Sequence, residues 1–209
     1  MKALNLRWLA TICSAAVVAV SAPAFANEAA EEFVGTRANE ALTVLNDASM
    51  SLAEKKESFR VLVEEVADVP RITRFVLGRY ARNVDASEMA EFSEVFRRYA
   101  IGIYEARLGD YAGETLTVTG STDRRPGDVI VHTEIAGGSQ EDELPVNWRV
   151  LTNDAGEAKV VDVEVYGVWL AINQREEIVG IIQGSNGRVS AATEALRLKL
   201  QEQETSGSG

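Results

Sequence analysis

The chain has 209 residues, with 32 acidic against 21 basic side chains and a formal net charge of −11 at pH 7. A charge this negative argues against nucleic-acid binding, because phosphates repel an acidic surface. The only cysteine, Cys13, cannot form a disulfide within the chain, so the fold must depend on its apolar core.

The N-terminus has the pattern of a secretory signal peptide. Lys2 and Arg7 are basic, Leu9 to Val20 is apolar, and Ala24-Phe25-Ala26 places small residues where a signal peptidase cleaves. We therefore expect cleavage after Ala26, which removes residues 1–26, and export across the inner membrane. The apolar run is too short to span a membrane, so we expect an exported protein without an anchor.

The first half of the remaining chain is expected to form a layer of amphipathic helices. The first helix covers residues 28–47, with its apolar side chains on one stripe. Ser51 and Glu54 form a capping box that opens the second helix, Pro70 starts a short third one, and Asp85 opens the longest. Each helix has one polar and one apolar face, so this layer needs an apolar surface to cover.

A sheet follows these helices. Alternating apolar residues predict strands over residues 114–120, 128–136 and 144–151, and a fourth strand begins at Val160. Short loops, such as the hairpin turn at 153–156, join these strands, which indicates an antiparallel sheet with one apolar face.

The C-terminal part returns to helix. Gly167 ends the alternation of the fourth strand, and helices are expected over residues 173–183 and 190–203. The sequence therefore predicts one α+β domain over residues 27–203, followed by a flexible tail at 204–209. Its architecture is a curved, four-stranded antiparallel sheet packed against an N-terminal helical layer and closed by C-terminal helices.

Few residues suggest catalysis or metal binding. His132 is the only histidine and falls on the polar face of a strand, so a zinc site has too few ligands, and we expect no metal and no cofactor. Asp162 and Glu164 point the same way from one strand, as a general acid and base can. Our prediction is a protein without catalytic activity. The alternative is an enzyme that uses this pair.

A short segment concentrates positive charge in this acidic chain. Arg71, Arg74, Arg79 and Arg82 lie within residues 71–82. They can contact an anionic head group or an acidic partner, with Arg71, Arg74 and Arg79 as the candidates. The alternative is that they pair with the abundant acidic residues while their stems cover apolar surface.

Several motifs carry a family resemblance. They include Asp68-Val69-Pro70-Arg71-Ile72, Leu77-Gly78-Arg79-Tyr80, Val161-Asp162-Val163 and Gly167-Val168, in that order along the chain. With these motifs the chain resembles the MlaC or toluene-tolerance family of periplasmic phospholipid-binding proteins, auxiliary to ABC transporters. One departure is Trp169, where the family usually has a small polar residue that caps a helix.

The resemblance implies a sheet and a helical layer that enclose an apolar cavity for lipid chains, with lipid as cargo. It implies a carrier that shuttles phospholipid between an outer-membrane lipoprotein complex and an inner-membrane ABC transporter with its substrate-binding ring, and so maintains outer-membrane lipid asymmetry. A carrier of hopanoids or other polycyclic lipids is the alternative within the family. The expected cavity-lining residues are Phe75, Tyr80, Phe96, Tyr99, Ile103, Val131, Trp148, Val165, Val168, Trp169 and Ile178. Each of them is equally compatible with ordinary core.

Overall fold

The computed structural model describes residues 27–105, 113–138 and 143–206. The predicted signal peptide lies outside these ranges. Within them, no helix combines the length and the apolar character needed to cross a bilayer. The elements in chain order are α1 (Glu28–Asn46), α2 (Leu52–Val66), α3 (Val69–Leu77), a 3₁₀ turn (Gly78–Arg82), α4 (Ala86–Glu105), β1 (Thr115–Arg125), β2 (Asp128–Ala136), β3 (Leu144–Thr152), β4 (Ala158–Val165), β5 (Val168–Trp169), α5 (Leu170–Gly184) and α6 (Val189–Ser206).

The N-terminal helices start at side chains that satisfy free backbone N–H groups. Asn27 caps α1, and Asp68 accepts from the N–H of Arg71 at 3.0 Å to cap α3. Ser51 and Glu54 form both halves of the predicted capping box at α2. The predicted α+β class, with helices before and after an antiparallel sheet, is confirmed.

The sheet has the order β1-β2-β3-β4-β5, and every neighbouring pair is antiparallel. The predicted strand count of four is one short, because β5 adds two residues to the edge. Tyr166 and Gly167, with φ of 51° and 78°, form a two-residue turn that folds Val168 back onto Val165. A strand of two residues has no alternation that a sequence pattern can detect.

Strand β1 is longer than predicted. The expected end at Gly120 is instead a shift in register between Val118 and Gly120, where Gly120 has a φ of 140°. An irregularity of this kind changes the strand's direction without ending the pairing, so β1 continues along β2 to Arg125.

The apolar interior consists of two clusters. The sheet cluster joins α1 to the middle strands, and its buried members are Ala30, Val34, Val129, Val131, Val150 and Val160. The helical cluster joins α3 to α6, and its buried members are Val76, Leu77, Phe92, Val95, Phe96, Tyr99, Ile178, Ile182, Val189, Ala192, Leu196 and Leu200.

The last helix extends beyond the predicted end of the domain at residue 203. α6 continues to Ser206, and the hydroxyl of Thr205 donates to the carbonyls of Gln201 and Glu202. These bonds satisfy carbonyls in the last turn of the helix. The first residues of the predicted flexible tail are therefore helical.

Candidate functional site

More than half of the predicted lining residues lie together in the helical cluster. Phe96, Tyr99 and Ile178 are buried members of it, while Phe75, Tyr80 and Ile103 are half-buried and pack against it. Phe96 stacks on Phe92 with ring centroids 5.9 Å apart.

Two further predicted residues belong to the sheet cluster. Val131 on β2 lies opposite Trp148 on β3, and Trp148 lies opposite Val163 on β4, so these side chains form one row across three strands. Val131 is fully buried, and Trp148 is half-buried with its indole N–H donating to the hydroxyl of Thr133 at 2.9 Å. The row presents the apolar face that alternation predicts.

The remaining predicted residues lie at the β4–β5 hairpin. Val165 and Trp169 are half-buried, whereas Val168 is 47% exposed. At the tip of the hairpin, Tyr166 is 74% exposed. The predicted lining residues thus fall into the helical cluster, the sheet cluster and this hairpin.

Open grooves run along α1. One has a volume of about 850 Å³ and lies between α1 and β1, with Gly35, Thr43 and Val118 in its wall. Another has a volume of about 320 Å³ and lies between α1 and α2, over Val44 and Phe59. The walls of these two grooves contain no predicted lining residue.

Asp162, one residue of the candidate acid–base pair, accepts hydrogen bonds from the backbone. Its Oδ1 accepts hydrogen bonds from the backbone N–H groups of Ala171 at 2.8 Å and of Val163 at 2.9 Å. The carboxylate is 7% exposed, and burial raises its pKa above the usual range, although these hydrogen bonds and Arg149 act in the opposite direction. Asp162 therefore caps helix α5, which starts at Trp169 without a capping side chain of its own.

Glu164 belongs to a polar row on the same side of the sheet. It accepts from the amide of Asn147 at 3.1 Å, and Asn147 in turn contacts His132 at 2.7 Å. The other ring nitrogen of His132 lies 2.9 Å from the hydroxyl of Thr122. Each side chain of this row contacts one on the neighbouring strand. Glu164 therefore has a structural role, because its hydrogen bond to Asn147 links β4 to β3.

A buried ion pair that the sequence did not suggest joins β2 to β3. Asp128 is 2% exposed and accepts from the Nε and one terminal nitrogen of Arg149, both at 2.9 Å. Arg124 and Arg125 also lie within ion-pairing distance of this carboxylate. Hydrogen bonds from Arg149 hold the pKa of Asp128 below its usual range. The pair becomes visible only once strand register is known.

The arginines of residues 71–82 have different environments. Arg71 pairs with Asp68 at 2.9 Å, as the salt-bridge alternative expects. Arg79 stacks over Tyr80 at 5.0 Å and donates to its hydroxyl at 2.9 Å. Arg74 is exposed on the last turn of α3.

Among the residues described, no group of histidine, cysteine or carboxylate side chains has the arrangement of a metal site.

Comparison with known proteins identifies the family. The family model described as MlaC protein matches residues 36–197. The chain belongs to the MlaC family. The fold also matches a phospholipid-binding protein from Ralstonia solanacearum, whose structure contains a phospholipid. The two share 19% sequence identity with a TM-score of 0.73, and the match covers 84% of this chain and 98% of the other. No curated protein matches the chain.

Proposed function

We propose that this protein is a periplasmic carrier of phospholipid, which it passes between an outer-membrane lipoprotein complex and an inner-membrane ABC transporter. The observation that carries the proposal is membership of the MlaC family over residues 36–197. The fold shared with a protein whose structure contains a phospholipid supports it. In this role the protein would maintain the lipid asymmetry of the outer membrane.

The physical demand on such a carrier is an apolar environment. Each methylene buried from water contributes about 0.8 kcal/mol, so an acyl chain of about sixteen carbons resists leaving its bilayer by about 12 kcal/mol. A carrier must replace nearly all of that environment, and it needs no bond-making group to do so. The separate helical and sheet clusters provide two apolar surfaces that could lie on either side of an acyl chain.

Half-buried side chains are the best candidates for the walls of this site. Trp148, Val165 and Trp169 are predicted lining residues that keep partial accessibility. Tyr104, which was not predicted, is 39% exposed although burial raises its pKa to about 12, helped by the charge of Asp162. An aromatic ring that keeps open surface is a candidate for the wall of a lipid site, so we add Tyr104 to the proposed lining.

Purification without detergent, followed by organic extraction and mass spectrometry, tests the proposal. We expect co-purified phospholipid, and uptake of phospholipid from vesicles by protein that has been stripped of lipid. A polycyclic lipid in place of phospholipid would assign the protein to the alternative cargo. Protein that carries no lipid and takes none from vesicles would overturn the carrier proposal.

A further inference from the structure

The arginines without acidic partners come from neighbouring elements of the fold. Elsewhere in the described ranges, ion pairs hold Arg37, Arg60, Arg71, Arg97, Arg124, Arg125, Arg149 and Arg197. The described arginines that form no ion pair are Arg74, Arg79, Arg82, Arg175 and Arg188. They come from α3, the 3₁₀ turn, α5 and the α5–α6 turn, and we call them the arginine surface.

Contacts connect the elements that carry these arginines. The guanidinium of Arg175 on α5 lies 4.9 Å above the ring of Phe75 on α3. A Cβ added to Gly78 would meet Arg175 at 3.3 Å, so α5 and the 3₁₀ turn are in close contact there. Tyr80, on which Arg79 stacks, lies against Gly187, which precedes Arg188.

The absence of partners is notable because acids outnumber bases in this chain by 32 to 21. Guanidinium groups normally find carboxylates in such surroundings, as eight other arginines of the described ranges do. Here the rings of Phe75 and Tyr80 orient two guanidiniums without neutralising them. Oriented, unpaired guanidiniums lose little freedom when they bind a planar carboxylate, so the surface is prepared for an acidic ligand.

We infer that the arginine surface is the docking site for a carboxylate-rich surface of a partner protein. Arg74, Arg79, Arg82 and Arg188 are exposed, which favours an external ligand over the head group of an enclosed lipid. α3, the 3₁₀ turn and the α5–α6 turn expose no large apolar side chain of the kind that inserts into a bilayer, and α5 exposes a single one, Ile172. A broad anionic membrane also repels the acidic remainder of the chain, whereas a local acidic patch contacts the arginines alone.

This inference rests on the proposed function, because a carrier must dock where it collects and delivers its cargo. It predicts that fluorescence anisotropy will show binding of a labelled poly-glutamate peptide at low salt, weakened at physiological salt. In the variant R74Q/R79Q/R82Q/R188Q, we expect the affinity to fall by about tenfold or more, because several charge contacts are lost together.

The matched control is R37Q/R60Q/R124Q/R197Q, which changes the net charge equally but removes arginines that already have acidic partners. We expect this control to bind the peptide about as well as the unaltered protein. No binding, an equal loss in both variants, or arginine-dependent binding only to phosphatidylglycerol vesicles would overturn the inference. Lipid extracted from the same preparations separates the two proposals: we expect the R74Q/R79Q/R82Q/R188Q protein to retain its lipid, whereas lipid-free preparations throughout would reject the carrier proposal instead.

Discussion

Asp162 on strand β4 accepts a hydrogen bond from the backbone N–H of Ala171 at 2.8 Å, and so it caps helix α5 from outside the helix. The residue at the N-cap position itself is Trp169, which has no side-chain acceptor. Because the first N–H groups of a helix need acceptors and attract negative charge, Asp162 supplies what Trp169 lacks. The strand-to-helix junction therefore tolerates a bulky aromatic residue where a polar cap usually stands.

Removing this acceptor should destabilise the junction. We expect Asp162→Ala to lower the free energy of unfolding by about 1–2 kcal/mol, the usual cost of losing a cap. Asp162→Asn should cost less, because its amide oxygen can still accept from Ala171. Urea unfolding of both variants measures this difference. Equal losses in both would show that the charge, and not the hydrogen bond, is what Asp162 contributes.

The charge of Asp162 should have its own pH signature. Burial raises the pKa of this carboxyl in the folded protein above its ordinary value of 3.8, so the folded state holds the proton more tightly than the unfolded state. The stabilisation that comes from protonating Asp162 is therefore present below about pH 3.8 and is lost as the pH rises through the folded pKa, whereas the hydrogen bonds that Asp162 accepts from Val163 and Ala171 remain. Relative to Asp162→Asn, the unaltered protein should become less stable over that rise. A difference that grows in favour of the unaltered protein would contradict the assignment.

The sequence predicts contacts between residues that are close along the chain better than contacts between residues that are far apart. The capping box of Ser51 and Glu54 joins near neighbours, so it was found. The cap provided by Asp162 and the pair of Asp128 with Arg149 depend on strand register and helix placement, which no local pattern contains. Periodicity placed Val131 and Trp148 on the apolar face, but it cannot distinguish a side chain that packs from one that borders a gap.

The ion pair of Asp128 with Arg149 should show the opposite pH behaviour. Arg149 holds the pKa of this buried carboxyl below 3.8, so its contribution is present above that value and is lost as the pH falls through the folded pKa. We expect Asp128→Asn to lower the free energy of unfolding at pH 7 by about 2–3 kcal/mol, as for hydrogen bonds to charged groups.

Asp154→Asn is the control for this measurement, because Asp154 is exposed in the β3–β4 turn. We expect it to leave the unfolding free energy unchanged within about 0.5 kcal/mol. If both variants lose the same stability at pH 7, the buried pair has no special contribution to the fold.

Trp169 is the residue expected to influence which lipid is carried. Trp169 is half-buried at the start of α5. Truncating its side chain would open space there, while the carboxylate of Asp162 would still accept the hydrogen bond from Ala171. We expect Trp169→Ala to remain folded and to shift the co-purified lipids towards bulkier species, as mass spectrometry can measure. Tyr166→Ala, at the exposed tip of the same hairpin, is the control and should leave the lipid profile unchanged. Identical profiles in all three proteins would remove Trp169 from the lining.

The turn at Tyr166 and Gly167 offers a test of backbone strain. Tyr166 has a φ of 51°, a region that costs a residue with a bulky side chain about 1 kcal/mol or more. Its ring is 74% exposed, so little packing offsets that cost within the described structure. We expect Tyr166→Asn, which creates the Asn-Gly pair preferred in such turns, to raise the free energy of unfolding by about 0.5–1 kcal/mol. Thermal and urea unfolding measure the gain in stability. Asn186→Asp is the control, because Asn186 also has a positive φ and is already a short polar residue. A loss of stability in Tyr166→Asn would mean that the exposed ring stabilises the folded protein by more than the backbone strain costs it.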